Sequence, residues 1–117
     1  MTRSMKTSEL SGAALDWAAA KCEGRVWELV ESFIDYYEEG EMNYSTDWAQ
    51  GGPIIDRCGI AIAKVKAIKS WHWTAGLSLP SKQPSYGDTP LIAAMRCYVA
   101  AKLGDIVEVP QELINHV

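Results

Sequence analysis

The sequence predicts an α+β fold: a small antiparallel sheet with two main helices packed on one face. Two alanine-rich stretches, 11–23 and 90–103, carry helix-capping residues at their ends. Between them, residues 54–75 are rich in β-branched and aromatic side chains that alternate as strands do. Helical and strand-like segments do not alternate strictly, which argues against a doubly wound parallel sheet. The 117 residues read as one domain, 1–117, with residues 1–6 as a loose N-terminal extension.

The elements follow in order. Ser11 is a good N-cap for a helix running to about Glu23, and Leu10 and Leu15 have the spacing of a hydrophobic staple. Leu15, Ala18, Ala19 and Cys22 share a face, and Gly24 is the natural stop. Residues 26–39 place Val26, Leu29, Val30, Phe33, Ile34 and Tyr37 at helical spacing, with acids filling the other face. That predicts a helix, although several of these residue types favour strands. Gly40 to Pro53 reads as mostly loop. Residues 54–63 and 65–75 read as two strands, and Gly76 to Gly87, with Pro80 and Pro84, as a loop. The last helix is the best marked: Asp88 or Thr89 as cap, Pro90 at the first position, Gly104 after the last turn. Ile92, Met95, Val99 and Leu103 form its stripe. Ile106, Val107 and Val109 make a short extended piece, and 111–117 a last helical turn or a frayed end.

Composition narrows the function classes. Nearly half the residues are apolar, which argues against disorder, and the net charge is −4. An acidic chain whose one basic run is Lys64, Lys66 and Lys69 argues against specific double-stranded DNA binding. No stretch reaches the roughly 18 apolar residues of a membrane span, and no signal-peptide core follows the N-terminus. Cys22, Cys58 and Cys97 have neither zinc-knuckle nor redox-pair spacing and read as reduced thiols. With His72 and His116 isolated, no metal site and no cofactor are expected.

Three segments carry a resemblance. They are Thr7-Ser8-Glu9-Leu10-Ser11-Gly12-Ala13-Ala14-Leu15-Asp16-Trp17, Ser45-Thr46-Asp47-Trp48-Ala49-Gln50-Gly51-Gly52-Pro53-Ile54-Ile55, and Gly87-Asp88-Thr89-Pro90 onward through Met95-Arg96-Cys97-Tyr98. Together they resemble the NinX-like family of small tailed-phage and prophage proteins. The likeness covers 7–24, 45–56 and 87–110, and it is weakest over 26–39. It implies an accessory protein acting in the bacterial cytoplasm and names no reaction.

The candidate ligand-binding residues are Asp47, Trp48, Gln50, Gly51, Gly52, Arg96, Trp71 and Trp73. The two glycines can expose N–H groups to an anion, Trp48 offers an aromatic wall, and Asp47 and Gln50 offer hydrogen bonds. The segment lacks the Lys and Ser/Thr of a P-loop. Trp71 and Trp73 share one strand face and can stack a ring. Arg96 presents a planar fork to phosphate. Packing explains each of these residues as well. Glu38, Glu39 and Glu41 beside Tyr36, Tyr37 and Tyr44 form an acidic, aromatic surface suited to a basic partner. No catalytic motif stands out.

The sequence therefore predicts a non-enzymatic binding protein that acts on host physiology or defence by capturing a small nucleotide-like ligand. The alternative is a module docking a host or phage protein. A nucleic-acid-associated factor and a cryptic enzyme rank lower. No membrane partner is expected, and a homo-oligomer is left open.

Overall fold

A computed structural model describes residues 1–66, 70–77 and 83–114. The expectations for Lys69, Pro80 and His116 lie outside the described residues. The chain runs β1 (Thr2–Lys6), a 3-10 turn, α1 (Gly12–Cys22), α2 (Val30–Glu38), α3 (Trp48–Cys58), β2 (Ala61–Lys66) and β3 (Trp71–Gly76). It continues with β4 (Ser85–Gly87), α4 (Pro90–Leu103), β5 (Ile106–Pro110) and a closing 3-10 turn. The class is α+β, as the sequence predicts. The strands divide between two antiparallel sheets, β1-β5 and β2-β3-β4.

Residues 2–6 are not a loose extension. They pair along β5 in the register Met5↔Val107, and Thr7 Oγ1 donates to the Gly104 carbonyl at 2.6 Å. The apolar alternation of β5 buries Val107 and Val109, and β1 satisfies the backbone groups of that strand.

α4 is the central element. Thr89 accepts from Ile92 N at 3.1 Å, Pro90 opens the first turn, and Gly104 takes φ +90° beyond the end. Its buried side includes Leu91, Ala93, Ala94, Met95, Cys97, Tyr98 and Val99, far more than one stripe. A helix apolar over most of its girth is enclosed on several sides. α4 packs on the β2-β3-β4 sheet, and α1 packs on α4 and β5. The alanines of both helices allow this close approach. Leu10 and Leu15 are both fully buried, as a staple requires. Ser11 stands at the N-cap of α1, but its side chain makes no capping bond. Glu23 closes the far end of α1, accepting from Tyr98 Oη and Arg57 Nη2, each at 2.5 Å.

Four further expectations are corrected. α2 begins at Val30; residues 26–29 precede it, with Leu29 extended as N-cap. Trp27 there packs edge-on against Phe33 at 5.1 Å, so an aromatic contact rather than another helical turn uses that residue. The Gly40–Pro53 loop and the strand over 54–63 are largely replaced by α3, and strand begins only at Ala61. Ser85–Gly87, read as loop, is edge strand β4 on β3.

Candidate functional site

The segment Asp47–Pro53 is the first half of α3. Asp47 is its N-cap and accepts from Ala49 N at 2.9 Å. Gln50 accepts from Asn43 N at 2.7 Å and donates to Gly40 O at 2.7 Å and Asp47 Oδ2 at 2.9 Å. These bonds lock the approach to the helix. The Gly51 N–H donates to Asp47 O at 2.9 Å, so it is not offered to an anion. Gly51 is buried, and Gly52 also lies inside the helix. Gly51 is therefore a packing device and both glycines lie within a helix, which corrects their reading as an anion-holding loop. An Asp-x-x-Gln start, followed by Ile54, Ile55 and Cys58 at helical spacing, is the signal that marks this helix. Gly-Gly-Pro masks it.

Trp48 stands on the first turn, 54% exposed. It lines a cleft of about 220 Å³ with Ser45, Thr46 and the start of α4. Arg96 belongs elsewhere. Its Nε donates to Leu10 O at 2.9 Å and its Nη1 to Tyr86 O at 2.8 Å. It thus ties α4 to the start of α1 and to β4. Burial pulls its pKa down, and Asp88 acts against that. Arg96 also lines a cleft of about 400 Å³ with Lys6, Ser8, Ser85 and Asp105. That cleft shares no lining residue with the one at Trp48.

Trp71 and Trp73 lie on the β2-β3 hairpin. The register Lys64↔Trp73 and Lys66↔Trp71 puts both lysines on the same face as both indoles. Near the other end of this face Ala75 is buried, and Gly87 of β4 abuts Ile92 and Ala93 of α4. Trp73 is half-buried against the core, while Trp71 is 58% exposed. Lys64 Nζ stands 5.5 Å from the Trp71 ring centroid and 5.9 Å from that of Trp73. Lys66 Nζ stands 6.0 Å from Trp71. These are cation–π distances. His72, on the opposite face, meets Tyr86 edge-on at 5.3 Å.

The eight candidate residues therefore fall in three places: the start of α3, the cleft under Arg96, and the hairpin. Lys64 and Lys66 are missing from the candidate set, and one sequence signal marks them. Residues 26–56 hold eight acidic residues, Glu28 through Asp56, and no Lys or Arg. Residues 57–87 hold Arg57, Lys64, Lys66, Lys69 and Lys82 and no Asp or Glu. A net charge of −4 averages these two blocks and conceals both.

Two of the thiols are poor nucleophiles. Burial pushes the Cys22 thiol up to about 11 and the Cys97 thiol up as well, which disfavours thiolate at neutral pH. Among the described residues, no three His, Cys, Asp or Glu side chains gather closely enough to hold a metal. No helix among them is long and apolar enough to cross a membrane.

The fold and surface define a small α+β protein in which an exposed tryptophan, Trp71, meets two lysines on one hairpin. The family model described as "Bacteriophage P22, NinX" matches residues 6–102, and the chain belongs to that phage family. The match includes 26–39, where the resemblance read from the sequence is weakest. No curated protein matches the chain at a significant level.

Proposed function

We propose that this phage-family protein is an accessory protein that works by binding, and that its ligand is nucleotide-like. The ligand's ring lies against Trp71, and its phosphate meets Lys64 and Lys66. The observation that carries this reading is the exposed Trp71 indole with two lysine ammonium groups within 6.0 Å of its ring centroid. An exposed ring beside cations supplies both contacts that a nucleotide needs, stacking for the base and charge for the phosphate. Relative to the expected site, the ligand moves from the glycines of α3 to the hairpin. The test is quenching of tryptophan fluorescence by nucleoside phosphates, with ribose 5-phosphate as the base-free control. The nucleotides should quench and the sugar phosphate should not. Trp71→Ala should abolish the response while Trp48→Ala preserves it.

A second reading rests on the opposite charge block. Val26 is 83% exposed and Leu29 63% exposed, beside the acids Glu28 and Glu31. Exposed apolar side chains beside these acids, with Arg25 adjoining Val26, suit a basic protein partner in the host cytoplasm. Leu29→Glu should then abolish capture of that partner, read by co-purification, and leave nucleotide quenching intact.

A further inference from the structure

We infer that the β2-β3 hairpin binds single-stranded nucleic acid, with bases stacked on Trp71 and phosphates paired to Lys64 and Lys66. The inference rests on the nucleotide reading of this same hairpin and names the form in which the nucleotide arrives.

The shape of the surface favours a strand over a free nucleotide. Trp71, Trp73, Lys64 and Lys66 line none of the clefts at Trp48 or Arg96. Small-molecule sites are concave and enclose most of the ligand. With 58% of its surface exposed, Trp71 offers one stacking contact, so a mononucleotide gains a single stack there. A strand repeats the contact, because each successive nucleotide brings another ring and another phosphate to the same rigid surface. Joining the contacts covalently raises their combined strength well above that of either alone.

The register supplies matching periodicity. Along one strand face, residues two apart are neighbours, so Lys64 and Lys66 form a short row of cations opposite the Trp73 and Trp71 row. Cations beside exposed indoles make the usual surface for single strands. Lys66 and Trp71 stand at the far end of the face from Ala75, which is buried in the core. A duplex hides its bases in the stack and can offer Trp71 only its backbone, so it would gain the charge contacts alone.

The charge blocks reinforce this choice. The cations of 57–87 are undiluted by any acid in that span, and the acids of 26–56 would repel a polyanion from the α2–α3 side. A strand is therefore attracted to the hairpin and discouraged from spreading over the rest of the surface. The acidic net charge does not oppose this, since screening confines attraction to about a Debye length, roughly 8 Å at physiological salt.

The test is fluorescence anisotropy with labelled 12-nucleotide oligothymidylate and oligouridylate at low salt. Thymidine monophosphate and a 12-base-pair duplex serve as competitors. Both single strands should bind, and both competitors should be at least tenfold weaker. Trp71→Ala should weaken binding about tenfold, in line with the loss of one stacked base, and Trp71→Phe should retain most of it. Lys64→Glu with Lys66→Glu should abolish binding. In wild type, log K should fall with log salt at a slope near −1.4, about 0.7 for each of two phosphates. Thermal melts of each variant separate lost binding from lost folding. If the monophosphate competes as well per molecule as the strand binds, the strand inference fails and the nucleotide reading stands. If neither binds, both fail. A duplex binding as tightly as the strand, or salt-sensitive self-association of the protein without nucleic acid, also overturns the inference.

Discussion

Gly51 of α3 sits so close to Leu91 of α4 that a Cβ on the glycine would fall 2.7 Å from Leu91 Cδ2. The same Cβ would fall 2.3 Å from the Tyr44 carbonyl oxygen. Neither separation is available to real atoms, and the second obstacle is backbone that cannot rotate aside. The neighbouring glycine is unlike it: beyond its chain neighbours and the helix backbone, a Cβ on Gly52 would meet Trp48 at an ordinary 3.8 Å.

Gly51→Ala should therefore destabilise the protein by about 2 kcal/mol or more through overpacking. Gly52→Ala should change stability by less than about 1 kcal/mol, because alanine's advantage inside a helix is offset by crowding of its Cβ against the Pro53 ring. Urea denaturation of the two variants gives the comparison. Equal effects of the same sign would contradict the packing role assigned to Gly51.

Arg96 joins three elements through two guanidinium bonds to carbonyl oxygens, at Leu10 and Tyr86. Lysine carries the charge but not the planar fork, and it cannot reach both acceptors with fixed geometry. Arg96→Lys should cost about 1–3 kcal/mol of stability in chemical denaturation. It should leave oligonucleotide binding at the hairpin unchanged. A binding loss larger than the unfolded fraction explains would place Arg96 in the binding surface.

Asp16 is buried, and its Oδ1 accepts from Ser45 N at 2.8 Å while Oδ2 has no partner among the described residues. Burial pushes its carboxyl up from 3.8 to about 6, against the opposing pull of its Ser45 hydrogen bonds. Between these values the folded protein holds a proton that the unfolded chain has released. Stability from this group is thus fully present below pH 3.8 and is lost as pH rises through about 6. The full loss is about 3 kcal/mol at most, at 1.36 kcal/mol for each unit of pKa. Asp16→Asn keeps an acceptor for Ser45 N without the charge. Thermal melts from pH 4 to 7.5 should show the variant gaining on wild type as pH rises. A constant difference across that range would contradict the raised carboxyl.

The packed helices α1 and α4 are legible in the sequence because their signals are local. Thr89, Pro90 and Gly104 act within a turn of themselves, and Leu10 and Leu15 meet across one turn. The α+β class follows from the same local patterns, and so does the resemblance to the phage family. The loop predicted over Gly40–Pro53 fails because Gly-Gly-Pro has poor helix propensity. Only tertiary contact reverses that: α4 and the Tyr44 backbone leave no room for a side chain at Gly51, and Asp47 and Gln50 fix the entry. The pairing of residues 2–6 with β5 is likewise invisible locally, since its partners lie about a hundred residues away. The candidate site divides in the same manner. The residue types, tryptophans, lysines and an arginine, are in the sequence, as is the switch from an acidic to a basic block between Asp56 and Arg57. Which of them meet is decided by strand register, which sets Lys66 opposite Trp71, and by the fold, which commits Arg96 to backbone carbonyls. Composition fixes what chemistry a chain carries; distance between side chains far apart in sequence is a property of the packed molecule alone.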